Sequence, residues 1–399
     1  MIKTIKLFKQ GIPVALLSFV VMIVILQLTP PVAAAERVGV NAELLSPFYL
    51  NGKTYIFGKQ IKDMDHAGAY DNAANWWVIK DNPKDGLTPV AIRKKMSSSY
   101  QGVAPFTLKN KQYIFGLHTC KAWPEWGARC PSNFSDYNAN IWRIDIVNGA
   151  ATGWTLVKIN GKMASGKMSP NYNAIVSYQL NGIPYILGLH RDVGANIWRI
   201  TQTSDGVNFE LVKYKAAQMS GAYCLTVFYK DGHPYIYEGM NIWRVKGPPN
   251  YGLELVKKGV FLYRYNFVKS FHIGGQPYLF AAAQPPDKYK EISIPTSKFA
   301  VFKSILDTPK NVYDCLANQN CGLYQPGKGF GVIYKIEADY RITQMSPRIP
   351  ISNHYRDMTT FEQGGKAYIF GCHREKYANI WRVNDNLAAG FSLVYYGNK

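Results

Sequence analysis

Asn181-Gly182-Ile183-Pro184-Tyr185-Ile186-Leu187-Gly188-Leu189-His190, followed after a short gap by Asn196-Ile197-Trp198-Arg199, decides how the chain is read. The stretch joins a hairpin dipeptide to two β-rich runs. Its first run returns from Tyr55 to Gly58, Tyr113 to Gly116 and Tyr368 to Gly371, with looser copies from Tyr235 to Glu238 and from Tyr278 to Ala281. The second returns as Asn140-Ile141-Trp142-Arg143, Asn241-Ile242-Trp243-Arg244 and Asn379-Ile380-Trp381-Arg382. Asn75-Trp76-Trp77-Val78 and Val332-Ile333-Tyr334-Lys335 are its altered forms. Self-similarity at this spacing is the mark of a repeat architecture, and here there are six units.

Each unit holds four short runs of β-branched and aromatic residues, named a, b, c and d from the axis outward. Asn51-Gly52, Asn181-Gly182, Asp231-Gly232 and Gly274-Gly275 separate a from b. Four strands repeated six times predict an all-β fold, a six-bladed β-propeller of four-stranded antiparallel blades spanning residues 36–399. Two successive sandwiches would also hold this many strands, but the unit continues without a linker. Trp142, Trp198, Trp243 and Trp381 are expected in the core between stacked blades. Ser204-Asp205-Gly206-Val207-Asn208-Phe209, between strands c and d of the third unit, resembles the Asp-box turn of sialidase-type propellers. That resemblance implies the propeller architecture and carries over no catalytic residue.

The first 35 residues order a basic start (Lys3, Lys6, Lys9), an apolar run from Ile12 to Leu28, and Pro30-Pro31-Val32-Ala33-Ala34-Ala35. This is the pattern of a cleaved export signal, with an uncleaved anchor as the rival, and it predicts a secreted, periplasmic or cell-envelope protein. No second membrane span is expected. The net charge of +20 favours acidic glycans or other anionic cell-surface components as partners, with a protein partner as the next reading. Nucleic acid is not expected, because the basic residues are scattered through the repeats. In an oxidising compartment, Cys120 with Cys130 and Cys315 with Cys321 are expected to brace two loops, while Cys224 and Cys372 are left open.

Spacing between the strand-b tyrosines is uneven, and the excess lies between strands b and c, at residues 59–74, 117–137 and 282–330. Antiparallel alternation puts all these insertions on one side of the disc. Loops that lengthen on one side only point to a working face, used for lectin-like glycan binding or protein interaction. Trp123 and Trp126, outside the repeated positions, are the candidate exposed anchors. Tyr100, Tyr172, Tyr223 and Tyr355, with Tyr49 and Tyr263 or Tyr265 in the remaining units, are expected to encircle the axial mouth. His118, His190 and His373 close strand b, and a hydrogen bond from each to the Asn opening strand c is expected. His190-Arg191 and His373-Arg374 would make the most basic of these polar pockets. No metal site or cofactor is expected from these histidines, which would circle the axis instead of converging. No nucleophile elbow, zinc motif or phosphate loop is legible, so binding is favoured over catalysis. The alternative is a glycan-acting hydrolase or lyase at the axial mouth.

Overall fold

The computed structural model describes residues 42–60, 73–96, 100–118, 138–159, 162–163, 165–167, 172–190, 193–204, 206–219, 224–260, 262, 265–284, 329–352, 354–373 and 378–397. All belong to one compact unit, Val38–Lys399. Blade 1 is built from Ala42–Leu50, Lys53–Gln60, Ala73–Ile79 and Leu87–Lys95. Blade 2 follows with Tyr100–Leu108, Lys111–His118, Asn138–Val147 and Ala150–Leu156, and blade 3 with Tyr172–Leu180, Ile183–His190, Gly194–Thr203 and Gly206–Ala217. Blade 4 uses Thr226–Lys230, His233–Tyr237, Ile242–Lys246 and Gly252–Lys257. Blade 5 uses Phe267–Ile273, Gln276–Ala283, Gly329–Ile336 and Ile342–Gln344, and blade 6 Tyr355–Gln363, Lys366–His373, Ala378–Val383 and Phe391–Tyr396. Each sheet runs a-b-c-d in chain order, and in blades 2 and 5 a short extra strand pairs with strand c. The fold is thus a six-bladed β-propeller.

A blade cannot bury both its faces alone, so its stability lies in the junctions. Six apolar clusters fill them, one per pair of neighbouring blades. The cluster that closes the ring sets Phe361, Phe370 and Ile380 of blade 6 against Leu45, Ile56 and Trp77 of blade 1. One pairing recurs in all six blades. The strand-b tyrosine lies directly across from an aromatic residue on strand a, and the two rings stack 5.0 to 5.5 Å apart: Phe48 on Tyr55, Phe106 on Tyr113, Tyr178 on Tyr185, Phe228 on Tyr235, Phe271 on Tyr278 and Phe361 on Tyr368. Cross-strand aromatic pairs of this kind fix register as well as adding burial.

The tryptophans follow the expectation in part. Trp198 and Trp381 are buried, as are Trp76 and Trp77 of the altered copy, whereas Trp142 and Trp243 are half-buried. In blades 3, 4 and 6 the c-d ladder bulges between the Ile and the Trp of the repeated motif. The arginine that follows points outward to an acid on its own strand, the next strand or the following turn: Arg143 to Asp145 at 3.5 Å, Arg199 to Glu210 at 3.0 Å and Arg382 to Asp385 at 2.8 Å. Val207 and Phe209 of the Asp-box-like turn are buried against blade 2.

Strands a and b are joined by two residues in every blade. In blade 2 both, Lys109 and Asn110, have positive φ, as the tight hairpin turn that suits strand twist requires. On this turn face a chain of polar latches crosses each junction in turn. Gln112 Nε2 donates to the Tyr49 carbonyl (2.9 Å), and Gln179 Nε2 donates to the Thr107 carbonyl (3.2 Å). The Tyr229 hydroxyl accepts from the Gln179 amide (2.7 Å), and His272 Nε2 meets the Tyr229 carbonyl (2.9 Å). Glu362 Oε1 accepts from the His272 amide (2.8 Å), and the Tyr49 hydroxyl accepts from the Glu362 amide (2.7 Å). The circuit returns to blade 1, where it began.

Candidate binding surface

The opposite face carries the long connections. Strands b and c are separated by residues 61–72 in blade 1, 119–137 in blade 2 and 284–328 in blade 5, and by far shorter spans in blades 3, 4 and 6. Trp123, Trp126 and the cysteine pairs 120/130 and 315/321 lie outside the described residues, as do Arg191, Tyr223 and Arg374. Among the described residues no helix is long and apolar enough to cross a membrane.

Six of the candidate residues are brought together in pairs. Tyr100 lies directly across from His118, Tyr172 from His190 and Tyr355 from His373, in blades 2, 3 and 6. Immediately after each tyrosine the a-b ladder bulges by one residue, Gln101, Asn173 or Arg356. The tyrosine rings turn into the blade. Tyr172 meets His190 edge to face at 5.0 Å and Trp198 at 5.3 Å; Tyr355 meets His373 at 5.2 Å and Trp381 at 5.4 Å. Glycine on strand b makes room for them: a Cβ on Gly116, Gly188 or Gly371 would stand 2.5 to 2.8 Å from the ring of Tyr100, Tyr172 or Tyr355.

Two expectations are corrected by this packing. Tyr100, Tyr172 and Tyr355 are 7%, 2% and 2% exposed, so they do not present their rings around the axial mouth. Tyr49 sits at the far end of its strand, on the turn face. The Asn that opens strand c gives its amide to the tyrosine hydroxyl, and in blades 3 and 6 not to the histidine: Asn140 to Tyr100 at 3.2 Å, Asn196 to Tyr172 at 2.5 Å and Asn379 to Tyr355 at 2.5 Å. Burial pushes the Tyr172 hydroxyl up to about 12, so it stays protonated. His373 Nε2 bonds Ser352 Oγ at 2.7 Å and stacks on His354 at 5.7 Å. His190 and His373 are therefore packed supports at the root of their loops, and the next residues of the chain are Arg191 and Arg374.

Blades 4 and 5 replace the cluster as a unit. In blade 4, Glu238 stands where the glycine was, fully buried, and Asn241 donates to its Oε1 at 2.5 Å. Blade 5 sets Ala281 against Val332 and drops the polar pair altogether. Repeated Met-Ser in the d-to-a connections is structural too: Met96 and Met219 are buried, and Ser346 Oγ accepts from the Ile333 amide at 2.9 Å. Cys224 and Cys372 are not joined to each other; they are buried in different junctions, and burial pushes the Cys372 thiol up to about 12.

No family model matches the sequence, and no curated protein does. Among solved structures the chain is similar to the SapL1 lectin in complex with alpha methyl fucoside, at 9% identity and a TM-score of 0.48 over 90% of this chain and 96% of that one. It is similar to a mutant of Aleuria aurantia lectin in complex with alpha-methyl-L-fucoside, at 9% identity and 0.47 over 91% and 98%. It is also similar to Trypanosoma rangeli sialidase in complex with sialic acid, at 11% identity and 0.44 over 90% of this chain and 54% of that one. Likenesses at this level assign no residue a role.

Proposed function

We propose that the chain is an exported binding module that holds a glycan on its loop face, with acidic glycans favoured by its net charge of +20. The observation that carries this reading is the asymmetry of the disc: two-residue turns between a and b in every blade, against b-to-c spans that reach residues 284–328 on the other side. A scaffold with one side closed tightly and the other elaborated is built for display. Trp123 and Trp126, Arg191 and Arg374, and Tyr223 would supply the contacts. Several related blades would add weak sites into avidity. Glu337, Asp339 and Asp385 are held low by hydrogen bonds to neighbouring lysine, arginine or backbone groups on the surface. That is the opposite of what a general acid needs.

The test is a glycan array probed with the purified chain at low and high salt, beside the variant Trp123→Ala/Trp126→Ala. Salt-sensitive capture of acidic glycans that the double variant loses, with an unchanged melting temperature, is the expected outcome. Capture that survives the double substitution would move the site away from this loop, and cleavage of an arrayed glycan would turn the reading toward a hydrolase or lyase.

A further inference from the structure

The six first strands enclose a cavity along the axis. Its end nearest the loop face has a volume of about 300 Å3 and is lined by Lys269, Arg356, Asp357, Cys224 and Asn266 among apolar residues from blades 1 to 5. Lys269 and Arg356 stand on the neighbouring blades 5 and 6, and neither side chain is engaged in an ion pair or hydrogen bond among the described residues. Arg356 Nε is buried and unpaired. The carboxylate at this end is already taken: Asp357 Oδ2 accepts from the Leu45 amide at 2.8 Å and Oδ1 from the Met358 amide at 2.7 Å. Asn266 Oδ1 accepts from the Gln284 amide, and the Cys224 thiol donates to the Tyr265 carbonyl.

We infer that this end of the axial cavity is an oxyanion site, taking the carboxylate or sulfate of a compact polar ligand between Lys269 and Arg356. Lys269 and Arg356 together exceed the single negative charge of Asp357, which leaves this end of the lumen net positive, and an unpaired buried guanidinium N–H forfeits its hydrogen bond. An oxyanion removes both costs, since a guanidinium offers paired donors in the geometry such an anion accepts. The backbone also aims the arginine. Arg356 is the extra residue of the bulge between Tyr355 and Asp357, the kind of irregularity that redirects a side chain out of strand alternation. Deeper in the lumen, Ser177 Oγ donates to the Pro105 carbonyl and Thr360 Oγ1 to the Ser270 carbonyl, so the next section has a hydroxyl-lined wall whose protons are already given across blade junctions. The site lies in the described strands and stands independently of what the loops bind.

Isothermal titration of the purified chain with sodium sulfate, glucuronate and glucose, at ionic strength held constant with chloride, tests the site. Sulfate and glucuronate should bind and glucose should not. Equal binding of the two anions assigns an inorganic oxyanion site; tighter glucuronate assigns a sugar acid. Lys269→Gln and Arg356→Gln should each weaken the anion about tenfold or more, the worth of one charge-assisted hydrogen bond. Arg356→Lys should fall between, and Trp123→Ala/Trp126→Ala should leave the anion isotherm untouched even if it abolishes glycan capture. Absence of anion binding by the unaltered chain, or wild-type affinity in Lys269→Gln/Arg356→Gln, would overturn the assignment. Should Arg356→Gln fail to fold, Lys269→Gln together with competition between sulfate and glucuronate on the unaltered chain decides it.

Discussion

The two faces of the disc are made from the same repeat and solve different problems. On the turn face, every a-b connection has two residues, and the polar groups near it reach sideways: Gln179 to blades 2 and 4, His272 to blades 4 and 6. On the loop face the side chains at the strand ends turn inward, Tyr172 onto His190 and Trp198, and the chain above is free to lengthen. Closure and display are thus separated by some five residues of strand b. The aromatic pair seals one end of that strand, and the Tyr-His-Asn cluster supports the other.

The sharpest way to break this division is to remove a seal. Tyr185 is 1% exposed and stacked on Tyr178 at 5.2 Å, so Tyr185→Ala should cost about 3 to 5 kcal/mol in chemical denaturation. A loss under about 1 kcal/mol would mean that the junction between blades 3 and 4 does not depend on the pair. At the loop end of the same strand, Gly188→Ala puts a Cβ 2.8 Å from Tyr172 and 3.1 Å from Trp198, and should cost about 1 to 3 kcal/mol. Adding Tyr172→Ala should recover part of that loss, because the two changes share one space. Strict additivity in this double-mutant cycle would show that the ring is not what the glycine accommodates.

The smallest effect belongs to the latch circuit, and it depends on pH. The hydrogen bond to Glu362 raises the His272 pKa above its usual 6.5, with Nδ1 and Oε1 3.4 Å apart. A raised folded-state pKa means that the added stability is fully present below about 6.5, the unfolded value, and is lost as pH rises through the folded value. Glu362→Gln keeps the acceptor for the His272 amide and removes the charge. Its melting-temperature deficit should be largest near pH 6 and shrink toward pH 8.5, and solvent screening limits it to at most about 1 kcal/mol. A deficit that does not vary with pH would assign the latch to the neutral hydrogen bonds alone.

Much of the fold is legible in the residues. The recurrence of Tyr-Ile-Phe-Gly and Asn-Ile-Trp-Arg identifies strands b and c, and the altered copies at Asn75 and Val332 fall in register with the rest. A further signal lies in the spacing of the aromatics: one stands seven positions before each anchor tyrosine, from Phe48 before Tyr55 to Phe361 before Tyr368. Spacing alone could not pair Tyr172 with His190 or turn its ring inward, because a bulge intervenes and strand alternation is broken there. The bulge of blade 6 hid Arg356 in the same way. Lys269 gave no signal either, since its significance comes from blade 6, nearly ninety residues further along the chain.

One consequence of the topology concerns how the ring is assembled. Each blade is a contiguous run of chain with its strands in order, so nearly every pairing is local, and five of the six junctions join sequence neighbours. The seam between blades 6 and 1 is different: Leu45 reaches Asp357, Thr54 reaches Glu362, and Tyr49 reaches Glu362 across some three hundred residues. Local contacts form fast, and the entropy of bringing distant ends together grows only with the logarithm of the intervening length. This topology predicts assembly as an open arc that zips from blade to blade and then docks its ends. Because no strand is exchanged across the seam among the described residues, that last step would join packed side chains and a few side-chain-to-backbone hydrogen bonds, and reopening it would leave the strand pairing of either blade in place.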